Sequence, residues 1–306
     1  MRSPNIPLIE ACRPREFTEV IGVQELDKIR SLISNPENMP NLMFYGSAGT
    51  GKTSVVKIIL NTLKPIDYIK INGSDTTGVD MIRERVYNFV TSKSTVPGKP
   101  KMVWIEECDF LSVNAWAALR GIIEQYIINA RFIVTLNYLN KIPEPIQSRF
   151  TTVEFTKASD EQIFARIRII CDEEKIRVED DTLKKLIVRG KGDIRTIINN
   201  IQHLSANENK IIKEEYLVNI NNLEDEVYGL LIDKKWTEIR YEIPKKHPNY
   251  NELLVDLEDN FFNSEFPVSI KAKITEIISD SLYEMSFSFD KAICFSACCS
   301  KIIKEL

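Results

Sequence analysis

Short apolar runs alternate with helix-like patterns in the first half of this chain. Five runs have the length of strands and cover 42–45, 68–72, 102–105, 131–136 and 151–155. Between them, apolar residues recur every three or four positions and predict helices over 54–63, 79–90 and 113–126. Such alternation is typical of βαβ units, so the sequence predicts an α/β domain with a mainly parallel sheet and helices on both faces.

After residue 155 the pattern is helical. We predict that the strands stop there and that helices cover 160–174, 180–189, 193–205 and 211–219, with Asp193 and either Asp180 or Asp181 as N-caps. A third, acidic section has helical patterns over 249–262, 268–284 and 289–303. The sequence therefore predicts three domains, over 1–156, 157–222 and 223–306, and we expect the third to pack against other copies or a partner.

The composition narrows the class of protein. Of the 306 residues, 43% are hydrophobic and 27% are charged, as in soluble globular proteins, and no apolar run approaches the roughly 20 residues that a membrane helix needs. The first five residues lack the apolar core of a secretory signal, so we expect a cytoplasmic location and no membrane partner. A net charge of −4 means that any contact with nucleic acid would need a local basic patch.

The cysteines do not predict a metal site. Of six, only Cys294, Cys298 and Cys299 cluster, and they form no Cys-x-x-Cys pair and have no histidine nearby. We interpret them as apolar thiols on a C-terminal helix.

A phosphate-binding motif follows the first predicted strand. Residues 46–53 read Gly-Ser-Ala-Gly-Thr-Gly-Lys-Thr and match G-x-x-x-x-G-K-[ST] between a strand and a helix, the context that the motif requires. Its glycines let backbone N–H groups face a phosphate, and the helix adds the positive end of its dipole. We predict that Lys52 contacts the β- and γ-phosphates of ATP, that the Thr53 hydroxyl binds Mg²⁺, and that the other contacts come from Gly46, Ser47, Ala48, Gly49, Thr50, Gly51 and Ser54.

Two acidic residues end the strand 102–105. Hydrolysis of ATP needs a carboxylate for Mg²⁺ and another that polarises water, both at the end of a strand next to the phosphate-loop strand. We predict that Glu106 binds the metal and that Glu107 is the general base. Asn137, after the strand 131–136, could orient the water or contact the γ-phosphate. Solvated acids and an ordinary turn residue are the alternatives.

Two arginines are further candidates. Arg149 follows a proline-containing stretch at the edge of the first domain, and Arg195 opens a predicted helix of the second. A guanidinium suits the charge that develops on a transferring phosphoryl group, although each could be a simple surface cation.

Several stretches between residues 8 and 205 resemble the AAA+ ATPases of DNA clamp loaders, especially replication factor C small subunits and the large subunits of bacteriophage loaders. The matching stretches are Arg13-Pro14, Glu19-Val20-Ile21-Gly22, Asn72-Gly73-Ser74-Asp75, Ala118-Leu119-Arg120, Ser148-Arg149 and Gly192-Asp193-Ile194-Arg195. The resemblance implies a RecA-like AAA+ domain, a helical lid and an all-helical collar that joins subunits into an open ring of five.

The same resemblance implies roles for individual residues. Arg13, Pro14, Val20 and Ile21 would surround adenine, with Ile194 nearby. Asn137 would be the first sensor, Arg195 would contact the γ-phosphate in cis, and Arg149 would act in trans on ATP held by the neighbouring subunit. The implied partners are a sliding clamp, primer–template DNA and other loader subunits, including at least one of a different kind.

The chain departs from the family pattern at a few positions. Glu106 stands where Asp is usual, which could slow hydrolysis, and Trp116 replaces a Gln thought to couple DNA to the ATP site. Gly121 replaces an Arg, Phe150 replaces a Cys, and Ala11-Cys12 replace Lys-Tyr, so that a stacking tyrosine is missing.

DNA would be held mainly through its phosphates, because a primed junction can have any sequence. Helix N-termini suit phosphates, and the candidates there are Ser74, Thr76, Thr77, Arg83 and Ser112. The stretch 91–99 is expected to face the clamp, with Phe89, Val90 and Val96 as docking residues. A capped surface helix and a solvated loop are the alternatives.

The leading hypothesis is therefore an ATP-hydrolysing clamp-loader subunit. One alternative is a structural loader subunit that binds ATP but hydrolyses little of it. The other is a DNA-translocating AAA+ motor, whose family carries a winged-helix C-terminal domain and a hairpin that grips DNA.

Overall fold

The computed structural model describes residues 6–74, 79–207, 209–219 and 223–306, with backbone alone for 79–82 and 218–219. The chain folds as two compact units, Met1–Lys213 and Glu214–Leu306. The predicted boundary between residues 156 and 157 lies inside the first unit, and the three-domain division stays a prediction.

The first part of unit 1 alternates helices and strands. Its elements are α1 (Leu8–Ala11), α2 (Leu26–Ile33), β1 (Leu42–Tyr45), α3 (Lys52–Thr62), β2 (Tyr68–Asn72), α4 (Val79–Thr91), β3 (Lys101–Glu106), α5 (Val113–Gln125), β4 (Ala130–Leu136), α6 (Glu144–Gln147) and β5 (Thr151–Glu154). The predicted strands and helices are all present, with ends shifted by one or two residues.

The five strands form one parallel sheet in the order β2-β3-β4-β1-β5. The expectation that the strand carrying Glu106 lies next to the phosphate-loop strand is wrong, because β4 lies between them. Tyr45 pairs with Leu136, so Asn137, rather than Glu106, follows the strand adjacent to β1. All strands run the same way, and their carboxyl ends meet at a single edge.

Apolar residues cover both faces of this sheet. On one face α3 packs through Val55, Val56 and Ile59 against Phe44 and other strand residues. On the other face α5 packs through Trp116, Leu119 and Ile123 onto β3 and β4. Burial on both faces explains why β3 and β4 are continuous apolar runs rather than alternating ones.

The second part of unit 1 is mainly helical. It contains α7 (Asp160–Glu173), β6 (Arg177–Val178), α8 (Asp180–Arg189), α9 (Ile194–Leu204) and β7 (Ile211–Ile212). The prediction that strands stop after residue 155 is wrong, because β6 and β7 pair in parallel. Two-residue strands are too short for a periodicity to reveal, and the predicted helix over 211–219 is instead β7 followed by a 3₁₀ turn, Glu214–Asn219.

Unit 2 consists of packed helices after that turn. They are α10 (Leu223–Ile232), α11 (Trp236–Glu242), α12 (Tyr250–Phe262), α13 (Val268–Phe287) and α14 (Lys291–Glu305). Their shared core includes Leu254, Phe261, Ile278 and Phe295, and it also takes up the buried thiols of Cys298 and Cys299. Across the described ranges, every helix is too short or too polar to cross a membrane.

Candidate nucleotide site

The phosphate loop connects the carboxyl end of β1 to α3. Gly46 and Gly49 have φ angles of 141° and 80°, which favour glycine. A Cβ atom would overlap the Phe155 carbonyl oxygen at Gly46 and the Asp193 carboxylate at Gly49. The loop therefore passes between the chain after β5 and the N-cap of α9, where side chains would not fit.

Helix α3 begins directly after this loop, with Gly51 as its N-cap. Glycine has no side chain that could cap the helix, so the N–H groups of the first turn stay available to a ligand. The Lys52 ammonium donates to the carbonyl oxygens of Gly46 and Ser47 over 2.7 and 2.8 Å. Backbone N–H groups and the Lys52 ammonium thus both lie where the sequence predicts the phosphates of ATP.

The electrostatics at Lys52 also favour an anion. Burial lowers the pKa of Lys52 to about 8, repulsion from Arg195 adds to this effect, and Asp109 opposes it. Two cationic groups therefore act on each other in one cleft. A triphosphate between them would reverse that repulsion and stabilise the charged lysine.

Thr53 and Glu106, the predicted metal ligands, are joined by a hydrogen bond of 2.6 Å from the Thr53 hydroxyl to Glu106 Oε1. Lys70 on β2 forms an ion pair of 2.5 Å with Glu106 Oε2. Burial raises the pKa of Glu106, but the hydrogen bonds from Lys70 and Thr53 outweigh it, and the pKa is lowered overall. A hydroxyl beside an ionised carboxylate is the hard oxygen set that Mg²⁺ prefers, so these residues fit that ion.

Glu107 has an unusual backbone conformation. Its φ and ψ are 53° and 43°, in the left-handed region that costs a non-glycine residue about 1–2 kcal/mol. Gly73 packs against this turn: its N–H donates to the Glu106 carbonyl over 2.7 Å, and a Cβ on it would lie 2.5 Å from the Glu107 carbonyl oxygen. Strain held in place by neighbours is typical of functional residues, and Glu107 lines the cleft from this turn.

The elements around the loop form one cleft of about 1130 Å³, counted out to its open side. Most of the predicted site residues line it: Arg13, Pro14, Val20, Ile21, Ala48, Gly49, Thr50, Gly51, Lys52, Thr53, Ser54, Glu106, Glu107, Asn137, Ile194 and Arg195. Gly46 and Ser47 contribute carbonyl oxygens to Lys52 instead. Several apolar residues that line the cleft suit a purine ring, and we call them the base side: Ile9, Cys12, Val20, Ile21, Ile170 and Ile198.

The two predicted sensors reach this cleft from different elements. Asn137 follows β4, next to the phosphate-loop strand. Arg195 lies in the first turn of α9, where Asp193 caps the helix by accepting from the N–H groups of Arg195 and Thr196. The predicted N-cap at Asp193 is confirmed. The prediction of Asp180 or Asp181 as the N-cap of α8 is wrong, because Glu179 is the N-cap and both aspartates lie in the first turn of the helix.

Arg149 is placed differently from the other catalytic candidates. It lies outside the set of described residues that line the cleft, just after α6. Its guanidinium forms an ion pair with Glu124 on α5, with a 2.7 Å bond from Nε, and also bonds the Pro145 carbonyl oxygen. Arg120 donates to the same Glu124 oxygen over 3.1 Å. Arg149 is therefore separate from the cleft of its own chain, and its role in trans stays a prediction.

Sequence reasoning missed several residues of the site. Lys70 gave no motif, and only the register of β2 against β3 brings it to Glu106. Cys12 is buried and lines the cleft, in the segment where the resemblance implies a stacking tyrosine, but it was not predicted as a site residue. Glu19 and Arg166 line the cleft as an ion pair between segments 147 residues apart, which no local pattern can show.

The predicted DNA contacts are partly described. Ser74 is exposed after β2, and both its N–H and its hydroxyl bond Asn72. Ser112 is exposed and caps α5 by accepting from the Ala115 N–H, and Arg83 is exposed on α4. Thr76 and Thr77 lie outside the described residues. Those contacts stay predictions.

The predicted clamp-facing edge lies at the amino ends of the strands. Val90 is 1% exposed and belongs to the core, so its prediction as a docking residue is wrong. Phe89 and Val96 are half-buried. Ile127 and Ile128, which precede β4, are exposed apolar residues of this edge and gave no signal in the sequence.

Trp116, which takes the place of a polar family residue, is fully inside the core. Within the part of the chain that the structure describes, its indole N–H has no hydrogen-bond partner. The tryptophan therefore contributes packing below the site rather than a polar contact.

Comparisons with known proteins place this geometry in a family. Residues 42–157 match the AAA model, the ATPase family associated with various cellular activities. The chain is 31% identical to replication factor C small subunit 2 of Pyrobaculum arsenaticum over 90% of its own length and 89% of that protein. It is 26% identical to replication factor C subunit 5 of Homo sapiens over 96% of its length and 90% of that protein.

Solved structures agree on the fold. The Thermotoga maritima RuvB Holliday junction branch migration motor superposes with a TM-score of 0.57 over 73% of this chain and 80% of that one, at 17% identity. A likeness at that identity concerns the fold alone. The predicted α/β AAA+ domain followed by helical domains is confirmed, and the chain belongs to the replication factor C small-subunit family of AAA ATPases.

Proposed function

We propose that this chain is an ATP-hydrolysing subunit of a sliding-clamp loader, which opens the clamp and places it on primer–template DNA during replication. One observation carries the proposal. The cleft of one chain brings together groups that suit the phosphates, Mg²⁺ and the attacking water, and Arg149, outside that cleft, offers a further cation to the site of a neighbouring subunit.

Within one subunit the roles follow from position. Lys52 and the first turn of α3 bind the phosphates, and Asn137 and Arg195 contact the γ-phosphate end. Thr53 and Glu106 hold Mg²⁺, which when bound neutralises phosphate charge. Glu107, fixed by its strained turn, accepts a proton from the attacking water.

Between subunits, Arg149 acts in trans. In the free chain its guanidinium is bound to Glu124, so assembly must exchange this partner for the phosphates of the neighbouring site. The exchange is feasible because exposed ion pairs contribute little free energy. We propose a ring of five subunits, with unit 2 as the collar.

DNA and the clamp would act at opposite edges of the sheet. Ser74, Arg83 and Ser112 follow or adjoin the carboxyl ends of β2 and β3, on the nucleotide side. The stretch 91–99 with Ile127 and Ile128 lies at the amino edge and is the surface that we assign to the clamp. Binding to DNA should depend strongly on salt and little on sequence.

The two alternatives differ in support. A translocating motor with a winged-helix domain is disfavoured, because the described part of unit 2 contains helices and no strand. A structural subunit with little turnover is favoured by one observation, the ion pair that draws Glu106 toward Lys70. Normal ATP binding with no turnover would identify such a subunit, whether or not Glu106→Asp restores turnover.

A mixing experiment tests the trans role. Loader assemblies would be prepared with Glu107→Gln chains, with Arg149→Ala chains, or with both together, and ATP turnover would be measured with clamp and primed DNA. Each variant alone should be inactive. The mixture should recover turnover, because some neighbours then pair an intact Glu107 with an intact Arg149. No recovery, with both variants assembled into rings, would contradict the proposal.

A further inference from the structure

An ion pair lines the nucleotide cleft next to residues of the base side, because Glu19 directly precedes Val20 and Arg166 lies one helical turn before Ile170. Arg166, in the middle of α7, donates from Nη2 to Glu19 Oε1 over 3.3 Å. Both side chains line the cleft, and Arg166 is only 13% exposed. The pair joins the helical part of unit 1 to the segment that precedes β1, which the chain separates by almost 150 residues.

Glu19 also holds the backbone of the segment that leads to Val20 and Ile21 at the cleft. Its Oε2 accepts from the backbone N–H of Arg15 over 2.6 Å and more weakly from that of Glu16 over 3.4 Å. The bond from Glu16 is one half of the capping box of the 3₁₀ turn Phe17–Glu19, in which the Glu16 side chain accepts in return from the Glu19 N–H, directly before Val20 and Ile21. The carboxylate therefore sets the path of the backbone that lines the base side.

Arg166 shares its face of α7 with another cleft residue. Ile170, one helical turn further on, lines the base side, and Ile163 and Ile167 pack into the core. Arg168 lies on a different face and bonds the Val178 carbonyl oxygen, Asp172 and Asp180. The helix thus carries two arginines of equal charge, and only one of them touches the cleft.

We propose that Arg166 is a positioning residue for nucleotide binding, which holds α7 against the turn of Glu19 and so keeps the base side closed on the purine. The inference rests on the proposed ATP site and deepens it. A partly buried, charge-assisted bond between two segments suits this role, since it is stronger than an exposed pair and fixes both walls at once.

The position of the contact predicts a distinctive result. Because the pair adjoins residues of the base side, its loss should weaken ATP and ADP to the same extent. We expect Arg166→Met to raise the Kd of both by about tenfold, the loss typical of one hydrogen bond to a charged group. The rate at saturating ATP should change little, since Glu107 and Lys52 are untouched. A contact with the γ-phosphate would instead weaken ATP alone.

The test is calorimetric titration of ATP and ADP into the full-length wild type, Arg166→Met and the matched control Arg168→Met, with steady-state kinetics on the same proteins. Arg168→Met should bind both nucleotides like the wild type. Glu19→Gln, which keeps the oxygen that the backbone needs, should weaken binding, and the double variant should be no weaker than Arg166→Met alone. Arg166→Lys, which keeps the charge, should recover most of the affinity and serves if the methionine variant does not fold.

Three outcomes would overturn the inference: equal affinities for Arg166→Met and Arg168→Met, a loss confined to ATP, or additive losses in the double variant. Failure of the ATP site itself would look different, because the wild type would then bind neither nucleotide.

Discussion

Two buried lysines stand at opposite edges of the same sheet and show how a structural cation differs from a functional one. Lys101 opens β3 at the amino edge, and its ammonium donates to the Phe89 carbonyl oxygen over 2.7 Å and to both oxygens of Ser92. It therefore completes the carboxyl end of α4, where a cation also favours the helix dipole. Lys52, at the carboxyl edge, shares its cleft with Arg195.

Low exposure alone does not distinguish the two lysines. Lys101 is even less exposed than Lys52, at 3% against 9%. Burial lowers the pKa of Lys52 to about 8, and repulsion from a second cation in the same cleft, Arg195, adds to that effect. A cationic pair beside an open cleft is costly unless an anion arrives, and this cost is what marks the carboxyl edge as a binding site.

Replacing each lysine by methionine should give the largest difference between the two sites. Lys52→Met should weaken ATP binding by more than about 100-fold, because it removes the charge facing the phosphates, and should leave the melting temperature nearly unchanged. Lys101→Met should leave ATP binding intact and lower the free energy of unfolding by about 2–4 kcal/mol, because buried carbonyl groups lose their donor. Titration calorimetry and thermal denaturation of both variants measure this, and equal effects on ATP binding would contradict the distinction.

The second prediction concerns Gly73, which packs against Glu107 at the carboxyl edge of the sheet. The Cβ of Gly73→Ala would press on the Glu107 carbonyl oxygen and displace the strained turn. We expect turnover with DNA and clamp to fall about 30-fold at unchanged ATP affinity, since misplacing a catalytic group by about 1 Å can cost about 100-fold. Gly121→Ala, on a helix with open space around it, is the control and should stabilise the protein slightly. The same turnover in both variants would show that Gly73 does not support Glu107.

The pKa of Lys52 gives a pH test of smaller size. Phosphates favour the charged lysine, so above a pKa of about 8 binding must take up a proton, and affinity falls as pH rises. Between pH 7 and pH 9 the Kd of ATP should rise about tenfold. In Lys52→Arg, whose guanidinium stays charged, the weaker binding should be flat over this range. A flat profile for the wild type would mean that Lys52 is already fully charged.

The smallest effect is expected at Glu124. Glu124→Gln removes the charge that pairs with Arg149 in the free chain, so the arginine is released more easily to the neighbouring site. We expect turnover of assembled rings without DNA to rise about twofold, because exposed ion pairs are weak. Glu144→Gln removes a nearby exposed charge on α6 and should have no effect. A fall in turnover as large as that of Arg149→Ala would show that Glu124 orients the arginine for catalysis instead.

The sequence predicted the parts of the site that lie within one motif. The phosphate loop, the residues Glu106 and Glu107, and Asn137 at a strand end were placed correctly because parallel strands bring their carboxyl ends together. The strand order was missed, because β4 is inserted between β1 and β3 by contacts that no local pattern encodes. Lys70 and Arg166 were missed for the same reason, since each meets its partner only through tertiary packing.

Unit 2 shows the opposite limit. Its last three helices were predicted from periodicity, whereas α10 and α11 were not, its sequence offers no motif, and its contacts in the described residues are those of a core. Exposed aromatic residues such as Phe287 and Phe289 remain on its surface, and periodicity cannot say what they touch.

Steady-state ATP hydrolysis tests the central claim most directly. The wild type, Glu107→Gln and the control Glu144→Gln would each be measured alone and in assemblies with clamp and primed DNA. The account predicts that clamp and DNA stimulate the wild type and the control, and that Glu107→Gln loses at least about 100-fold in rate while still binding ATP. A wild type that binds ATP but hydrolyses it no faster than Glu107→Gln, with all partners present, would contradict the account and identify the chain as a structural subunit.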